Sequence, residues 1–403
     1  MNKALVVGPN VGVSMGSGGG VRVAAKMAET LAVTGFAVSL CAFRGYSLDH
    51  LDSIHNTNLA AYRDKIRTDY LITTRRDDQA RAGSLSGSLP IHVGVLPISM
   101  YLQYIIRKFS PNVLIFHDDI PMLVKNRLQG RFTVLYVHFS YATRLKLGVG
   151  DIADILTPSK ESIEKLLNPL LRRLIFLDSV PADVVLANSS ITAEFLKQTW
   201  NDSNVMVLHP PVDTTLCRST HPKADLVVSI GTVQPNKRFE DIIQAMKTIG
   251  SNSKLVIIGK YHQGRYYREL QKLIEKNGLA KRVEILLDAT QEEVRDFLSK
   301  AKILVHASRF EPFGIAVVEG MASGCVPIVY EGTTSGPWID IVSKGEFGCG
   351  FRTVNELSEK IEKILGNESA FEYYSERAKK RSKMYDTLIF KERFIKVLRR
   401  FGS

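Results

Sequence analysis

The sequence predicts an α/β protein with two Rossmann-like domains whose parallel sheets face a central cleft. Its 403 residues are more than one hydrophobic core normally supports. Short runs rich in valine and isoleucine alternate with segments of helical periodicity, and the pattern occurs in both halves. Between the halves lies HPPVD, His209–Asp213, where two prolines exclude a helix and stiffen the chain. The halves are therefore expected to fold as separate domains.

The apolar runs give the expected strands. In the first half these are Ala4–Val7, Ala37–Ala42, Val113–Phe116, Thr133–Val137, Val184–Ala187 and Val205–Leu208. In the second half they are Leu226–Ile230, Leu255–Ile258, Val283–Leu287, Ile303–His306 and Pro327–Tyr330. We assign residues 1–208 to the first domain, 209–213 to a linker, 214–384 to the second domain and 385–403 to a terminal helix. Ligands of open α/β sheets bind beyond the carboxyl ends of the strands, so the chemistry is expected there.

Composition and charge restrict the class of partner. The net charge of +12 favours anionic partners such as phosphorylated ligands or an acidic membrane surface. No RNA-binding signature, zinc finger or basic-zipper pattern accompanies this charge, so nucleic acid is not an expected partner. Residues 1–8 read as a strand and not as a signal peptide, which predicts a cytoplasmic protein. The uncharged run Ala82–Ile106 contains prolines and glycines, which favours a strand, a turn and a helix over a membrane span.

Metal binding is not expected. The four cysteines are scattered and lack C-x-x-C spacing, so they are expected to be reduced and to serve in packing. The sequence also contains no Asp-x-Asp motif or histidine cluster that would bind a divalent cation convincingly.

A glycine-rich segment, GSGGGVRV at Gly16–Val23, follows the first predicted strand and opens a helix that runs to about Val33. Its glycines permit close backbone approach, and a helix N-terminus offers unpaired N–H groups to an anion. The spacing differs from the dinucleotide-binding G-x-G-x-x-G pattern. A flexible turn without a ligand remains the alternative interpretation.

A second segment, GTVQPNKRF at Gly231–Phe239, lies between a predicted strand and a helix expected over Asp241–Ile249. Lys237 and Arg238 would stand at the helix start, where the helix dipole disfavours positive charge. A bound diphosphate would resolve this conflict, and the two cations would stabilise its charge as it leaves. An exposed pair of cations without a ligand is the alternative.

The strongest signal is SRFEPFGIAVVEGMASGCVPIV, Ser308–Val329, which joins a strand to a helix and then to another strand. Glu311 is expected in the loop, and Glu319 on the helix that begins near Ile315. A carboxylate among apolar residues requires hydrogen-bond donors, and the hydroxyl groups of a ribose or a sugar would supply them. A structural salt bridge is the alternative.

In this order, the motifs resemble those of the retaining family 4 glycosyltransferases, which have the GT-B fold. The resemblance covers nearly the whole chain. It implies that Glu311 contacts the donor sugar and that Glu319 contacts the nucleotide ribose. It also implies that the backbone amides of Gly314 and Ile315 bind phosphate together with Lys237.

The family often has an arginine where this chain has Thr232, so Arg238 or Arg22 would supply the missing cation. His138 follows the strand Thr133–Val137 and matches the family histidine that lines the donor sugar. His117 and Asp118 form a second candidate pair at the end of the preceding strand, which would contact the acceptor or orient the neighbouring loop. The predicted catalytic residues are His138, Glu311 and Lys237. The predicted donor-binding residues are Gly19, Gly20, Arg22, Thr232, Arg238, Phe313, Gly314, Ile315 and Glu319.

Within the family, several segments are similar to the α-1,2-mannosyltransferases of dolichol-linked oligosaccharide assembly. These segments are GGGVRV, LYVHFSYAT at Leu135–Thr143, HPPVD, FGIAVVEGMASG and SGPWIDIV at Ser335–Val342. The similarity implies a GDP-mannose donor, a glycan or polyprenyl-linked acceptor at the cytoplasmic membrane face, and no required cofactor. Alternatives are a UDP-sugar-dependent transferase of surface polysaccharide or glycolipid synthesis, a GT-B epimerase or phosphorylase, and a non-catalytic partner subunit.

The resemblance further implies retention of anomeric configuration, with the leaving diphosphate receiving the acceptor proton. Two basic segments are candidates for peripheral membrane contact. Ser159–Asp178 combines apolar residues with four cations, and Phe390–Phe401 has helical spacing with many cations. Core packing is an equal alternative for the first segment. In this fold the terminal helix commonly crosses back to the first domain.

Overall fold

The computed structural model describes residues 1–9, 14–15, 18–73, 91–138, 182–200, 204–217, 221–250, 253–260 and 264–402. The chain forms two compact units. The first contains Met1–Asn188, Thr192–Pro211 and Phe390–Ser403, and the second contains Ser189–Ile191 and Val212–Ile389. Each unit has its own sheet.

The sheet of the first unit consists of parallel strands with the order β2-β3-β1-β5-β6-β7-β8, and β4 also pairs with β3. The strands are β1 Lys3–Val7, β2 Ser14–Met15, β3 Ala37–Gly45, β4 Ile66–Thr73, β5 Val113–His117, β6 Phe132–Val137, β7 Val184–Ala187 and β8 Val205–Val207. The helices are α1 Gly19–Val33, α2 Leu48–His55, α3 Ile91–Phe109 and α4 Ser190–Trp200.

The central strands of the first sheet are apolar on both faces because both faces are covered. Ala4 and Val6 of β1 pack in one hydrophobic cluster with α1, whereas Leu5 and Val7 pack in a second cluster with α3. Successive side chains of a strand point to opposite faces, so a run of four apolar residues is needed to fill both layers.

The sheet of the second unit is also parallel, with the order β11-β10-β9-β12-β13-β14. Its strands are β9 Ala224–Ile230, β10 Lys254–Gly259, β11 Val283–Leu287, β12 Ala301–His306, β13 Val326–Tyr330 and β14 Cys349–Phe351. Its helices are α5 Phe239–Thr248, α6 Arg265–Lys276, α7 Gln291–Lys300, α8 Ile315–Ala322, α9 Val354–Leu365 and α10 Glu368–Ser382. All six residues of β12 are buried, so this strand lies at the centre of the unit.

The last helix, α11 Thr387–Leu398, belongs mainly to the first unit. Its Phe390 and Phe394 are buried in the same hydrophobic cluster as α1. Lys391 Nζ lies 3.1 Å from Glu29 Oε2 on α1, and the Glu29 side chain is only 9% exposed. The helix is therefore attached to the first unit through apolar contacts and an ion pair that is largely shielded from water.

The predicted fold class is confirmed, since both halves form parallel Rossmann-like sheets. Every strand predicted above is present, but β2, β4 and β14 were not predicted. The helix expected at the end of Ala82–Ile106 is present as α3, whereas residues 82–90 lie outside the described residues. Ser159–Asp178 also lies outside them.

Across the described ranges, every helix is too short or too polar to span a bilayer. All four cysteines are buried, as expected for cysteines that serve in packing.

Candidate active site

A charged cluster forms in the second unit where the adjacent strands β9 and β12 end. Lys237, in the loop after β9, places Nζ 2.6 Å from Oε2 of Glu311, in the loop after β12. His306, the last residue of β12, places Nε2 3.2 Å from the same oxygen. The side chains of Lys237 and Glu311 are only 19% and 17% exposed. One carboxylate oxygen therefore lies in reach of two nitrogen donors at the ligand-binding edge of the sheet.

The surroundings of Glu311 keep it ionised. Burial alone would raise the pKa of this carboxyl group, but the charge of Lys237 and the hydrogen bond from His306 outweigh burial and hold the pKa well below its ordinary range. At neutral pH the group is a carboxylate, which only accepts hydrogen bonds.

This depressed pKa predicts acid sensitivity. As the pH falls through the ordinary glutamate pKa of about 4.3, the unfolded chain takes up a proton that the folded protein does not. The stabilising contribution of Glu311 is thus present at higher pH and is lost on acidification. Between pH 5 and pH 3 the free energy of unfolding should fall more steeply in the wild type than in Glu311→Gln.

Urea denaturation can measure this effect through the fluorescence of Trp338, which lies in the second unit. A Trp200→Phe background removes the other tryptophan of the chain, which lies in the first unit. Parallel pH profiles for the two proteins would contradict the assignment of a depressed pKa to Glu311.

The loop that carries Lys237 forms a single 3-10 turn over Pro235–Lys237, and Arg238 follows in the left-handed conformation, with φ of 54°. Arg238 Nη2 lies 3.0 Å from Asp241 Oδ1, and its Nη1 lies 3.1 Å from Glu240 Oε1. Both carboxylates stand in the first turn of α5, where the helix dipole favours negative charge. The predicted conflict between cations and dipole is thus resolved within the protein, since Arg238 pairs with α5 and Lys237 pairs with Glu311.

The loop that carries Glu311 is fixed by a segment from elsewhere in the sequence. The backbone N–H of Gly336 donates to the carbonyl oxygen of Glu311 at 2.7 Å, and the hydroxyl of Thr334 donates to the carbonyl of Arg309 at 2.6 Å. A Cβ added to Gly336 would lie 1.9 Å from the carbonyl oxygen of Pro312. Thr334 and the start of the SGPWIDIV segment therefore brace this loop, and only glycine fits at position 336.

The N-terminus of α8 lies directly after this loop. Gly314 precedes the helix with φ of 95°, a conformation that favours glycine. The first N–H groups of a helix have no intrahelical acceptor, so the backbone at Gly314 and Ile315 is suited to an anion. Glu319 is four residues after Ile315 and lies on the same face of α8. Phe313 is buried, with its ring packed edge-on against Tyr385 at 5.4 Å between centroids.

Gly231 and Thr232 follow β9 directly. A Cβ added to Gly231 would lie 3.3 Å from Cδ of Lys237, so the glycine leaves room for the lysine stem. Thr232 is partly buried at the start of the loop. Of the predicted residues of the second unit, the structure joins Lys237 to Glu311 by a direct contact. It places Ile315 and Glu319 on α8 and Gly314 at the N-cap of that helix.

The first unit contains a pair of histidines. Nδ1 of His117, the last residue of β5, lies 3.0 Å from Nε2 of His138, which follows β6. His117 is completely buried. The carboxylate of Asp118 accepts a hydrogen bond from the backbone N–H of His138 at 2.9 Å. The two histidines and the aspartate, each noted in the sequence, therefore form one hydrogen-bonded group at the carboxyl ends of adjacent strands.

Burial lowers the pKa of His117 well below its ordinary value, and the neighbouring His138 lowers it further. Burial also lowers the pKa of His138, although the carboxylate of Asp118 acts in the opposite direction. Both rings are therefore neutral at pH 7.

The helix α1 begins beside this pair. A Cβ added to Gly20 would lie 3.2 Å from Nε2 of His138 and 3.1 Å from Cγ of Pro9. Gly19 is the first residue of α1, and Arg22 is partly buried on its first turn. The glycines thus let the helix start approach His138 closely. Residues 16 and 17 of the glycine segment lie outside the described residues.

Sequence reasoning did not identify two members of these groups. His306 was assigned to a strand only, although a histidine at the end of a buried strand could have signalled a polar partner. The segment Ser335–Val342 was noted as similar to a family, but its contact with the Glu311 loop was not predicted, and neither was the contact of Thr334 before it. Within the part of the chain that the structure describes, no three His, Cys, Asp or Glu residues gather into a possible metal site.

The charged cluster around Glu311 and the histidine pair lie on two Rossmann-like domains. This arrangement is typical of a class of sugar-transferring proteins. Residues 17–216 match the family described as Glycosyltransferase Family 4, and residues 218–381 match Glycosyl transferases group 1. The chain belongs to this family of GT-B glycosyltransferases. The family resemblance stated from the motifs is confirmed.

Curated relatives are similar in sequence to part of the chain. It is 28% identical over 279 residues to the GDP-Man:Man(3)GlcNAc(2)-PP-Dol alpha-1,2-mannosyltransferase of Neurospora crassa, a match that covers 60% of this chain and 50% of the relative. It is 33% identical over 180 residues to the Mus musculus protein of the same name, covering 40% of this chain and 36% of that protein. The chain spans about half the length of these curated relatives, or less.

Among solved structures, a sucrose-phosphate synthase from Thermosynechococcus elongatus superimposes with a TM-score of 0.73 and 16% identity. The match covers 100% of this chain and 99% of the other. At this level of identity the similarity establishes the fold.

Proposed function

We propose that this protein transfers mannose from GDP-mannose to a polyprenyl-linked glycan, with retention of anomeric configuration, at the cytoplasmic face of a membrane. The observation that carries the proposal is the contact of Lys237 with the ionised Glu311 beside the N-terminus of α8. Family membership supports sugar transfer, and the names of the fungal and mouse relatives support the donor and the acceptor class.

Lys237 and α8 would bind the diphosphate. An ammonium group has three N–H donors, and one of them is directed to Glu311. The other two can bind phosphate oxygens together with the backbone amides of Gly314 and Ile315. These groups are held by the fold before the reaction, so they stabilise charge on the leaving diphosphate without reorganisation. The proposal includes no metal ion and no other cofactor.

The two glutamates would hold the remaining parts of the donor. Glu311 has acceptor capacity beyond its bonds to Lys237 and His306, and the donor sugar offers hydroxyl groups as partners. Glu319, one turn further along α8, would accept hydrogen bonds from the ribose hydroxyls. Arg238 is paired with α5, so its contribution would be to the shape and charge of the Lys237 loop.

In the proposed reaction a hydroxyl oxygen of the acceptor forms a bond to the anomeric carbon on the face from which the diphosphate departs. The bond between that carbon and the phosphate oxygen breaks, and the acceptor proton passes to a phosphate oxygen of the leaving group. Attack from this face retains the configuration. No protein side chain is required as a base.

Calorimetric titration of the full chain with GDP, UDP and ADP tests the proposal. We expect GDP to bind most tightly, and Glu319→Ala to weaken GDP binding about tenfold to a hundredfold, the equivalent of losing hydrogen bonds to a charged group. Glu359→Ala, an exposed glutamate on α9, is the matched control and should leave binding unchanged.

The other outcomes distinguish the alternatives. Preference for UDP would keep the family and change the donor, whereas binding of no nucleotide would favour a non-catalytic subunit. Transfer to a polyprenyl-linked acceptor is then measured with the donor that binds. Turnover of the donor without an acceptor would indicate an epimerase, and dependence on inorganic phosphate a phosphorylase.

Membrane contact would involve the charges of α11 and of Arg399, which directly follows it. Its phenylalanines are buried in the first unit, so they are not available to insert into lipid. Arg393, Lys396 and Arg399 are exposed and would contact anionic headgroups. Co-sedimentation with vesicles rich in phosphatidylserine should therefore decrease in a Lys396→Glu, Arg399→Glu double variant. Equal sedimentation of the variant and the wild type would exclude this surface.

A further inference from the structure

In the first unit, His117 contacts His138 and is completely buried. The two rings are nearly parallel, with an angle of 17° between their planes, and the contact joins Nδ1 of His117 to Nε2 of His138 at 3.0 Å. A hydrogen bond at this distance requires one proton between the two nitrogens. The position of that proton determines which nitrogen of each ring is a donor.

Both rings are neutral, so each carries one proton. Burial disfavours the charged form of either ring, and a charge on one would disfavour a charge on the other. Two arrangements remain. In one, His117 donates from Nδ1. In the other, His117 accepts at Nδ1 and carries its own proton on Nε2.

The surroundings of Nε2 of His117 select between these arrangements. This nitrogen is buried and has no hydrogen-bond partner among the described residues. A buried N–H group without an acceptor is rare and destabilising. If Nδ1 is the donor, Nε2 carries no proton and leaves no N–H unpaired. The proton between the rings is therefore assigned to Nδ1 of His117.

We propose that His117 is a positioning residue that donates Nδ1–H to Nε2 of His138 and holds His138 as the neutral Nδ1–H tautomer. His138 then presents a hydrogen-bond donor, Nδ1–H, to an oxygen atom of the bound sugar. The identity of that ligand rests on the proposed function, whereas the tautomer rests on the geometry of the pair.

The neutral state matters for the chemistry. Glycosyl transfer passes through a transition state with positive charge on the sugar ring, as in glycoside hydrolysis. An imidazolium near that charge would repel it, and the repulsion would be strong in a site shielded from water. A neutral N–H donor orients the sugar without this repulsion.

Neighbouring groups keep the pair in place. Asp118 holds the backbone of His138, and the ring of Tyr136 lies 5.5 Å from His117 and 4.8 Å from His138 between centroids. The hydroxyl of Tyr136 donates to the carbonyl of Leu208 at 2.8 Å, so this ring is itself fixed. Gly20 leaves space for the His138 ring, as described above.

Nitrogen-15 NMR of the full chain with labelled histidine rings tests the assignment directly, because protonated and unprotonated ring nitrogens have distinct shifts. The signals of His138 are identified by their loss in His138→Gln. At pH 7 we expect Nδ1 of His138 to be protonated and Nε2 unprotonated. An Nε2–H tautomer, or an imidazolium, would overturn the proposal.

Two substitutions separate the tautomer effect from a structural one. His117→Asn retains an N–H donor at the position of Nδ1, whereas His117→Asp offers only acceptor oxygens and draws the proton to Nε2 of His138. We expect the Asn variant to keep most of the wild-type kcat and the Asp variant to lose about 10²-fold. An equal loss in both variants would overturn the positioning role. Absence of transfer in the wild type would contradict the proposed function and leave the tautomer to the NMR result.

Discussion

Replacement of Lys237 by methionine is expected to lower the rate of sugar transfer by about 10²–10³-fold, the usual loss when one preorganised group that stabilises developing charge is removed. Methionine keeps an unbranched stem beside Gly231 but removes the ammonium. The charge on the diphosphate grows as the reaction proceeds, so the loss should fall mainly on kcat and less on the KM for the donor. Initial rates at varied donor concentration measure both.

Lys237→Met also removes the charged partner of Glu311, so a lower rate could result from a change in stability. In Lys237→Met the partly buried carboxylate keeps only His306, so some loss of stability is expected. The double variant Lys237→Met, Glu311→Gln removes both charges and should recover stability without recovering activity. If the double variant regained the wild-type rate, the defect of Lys237→Met would be structural, and the role of Lys237 would be wrong.

Lys300→Met is a matched control for an ion pair. Its Nζ lies 2.6 Å from Oδ2 of Asp296, the same distance as in the Lys237 pair, but both side chains are more than 40% exposed, at 43% and 41%. Exposed pairs contribute about 0–1 kcal/mol to stability. The variant should therefore match the wild type in both rate and stability.

Replacement of Gly336 by alanine should destabilise the second unit by about 3 kcal/mol, at the upper end of the usual cost of overpacking. The added methyl would lie 1.9 Å from the carbonyl oxygen of Pro312, and backbone must move to remove this overlap. The hydrogen bond between Gly336 and Glu311 would be displaced as well. We therefore expect weaker nucleotide binding in addition to lower stability.

The loss of stability is measured by urea denaturation, followed by Trp338 fluorescence in the Trp200→Phe background. The weaker nucleotide binding is measured by calorimetry. Gly250→Ala is the control, because a methyl there meets no atom within 4 Å. Its free energy of unfolding should change little. A Gly336→Ala protein as stable as this control would show that the brace of the Glu311 loop is not rigid.

The predicted strands include those that are buried on both faces, such as β1, β5 and β7. Leu5 and Val7 face one cluster and Ala4 and Val6 the other, which requires the continuous apolar run that makes β1 recognisable. Strand β4 was missed because Arg67 and Asp69 interrupt its apolar residues. In the fold Nε of Arg67 lies 2.7 Å from Oδ2 of Asp69, so the strand itself supplies each of these charges with an opposite charge.

The sequence predicted which residues belong to the candidate site, but it did not predict the contacts between them. Glu311 and Lys237 stand in recognisable motifs, yet their contact joins residues 74 positions apart, and nothing local in the sequence specifies that distance. The sequence also places Arg238 toward a ligand; in the fold its guanidinium pairs with Glu240 and Asp241 in the first turn of α5, and its contact with the donor stays a prediction. Local charge patterns reveal which cations need anions, but the fold determines whether the anion is a ligand or a side chain.

The attachment of α11 to the first unit affects the order in which the protein can be completed during synthesis. Phe390 and Phe394 belong to the core that also contains α1, and they are translated after nearly all of the second unit. When residues 212–389 have left the ribosome, the chain contains every residue of the second unit's sheet. At that stage the first unit still lacks the part of its core that α11 supplies. The part of the protein that is made first is therefore the last to acquire its full core.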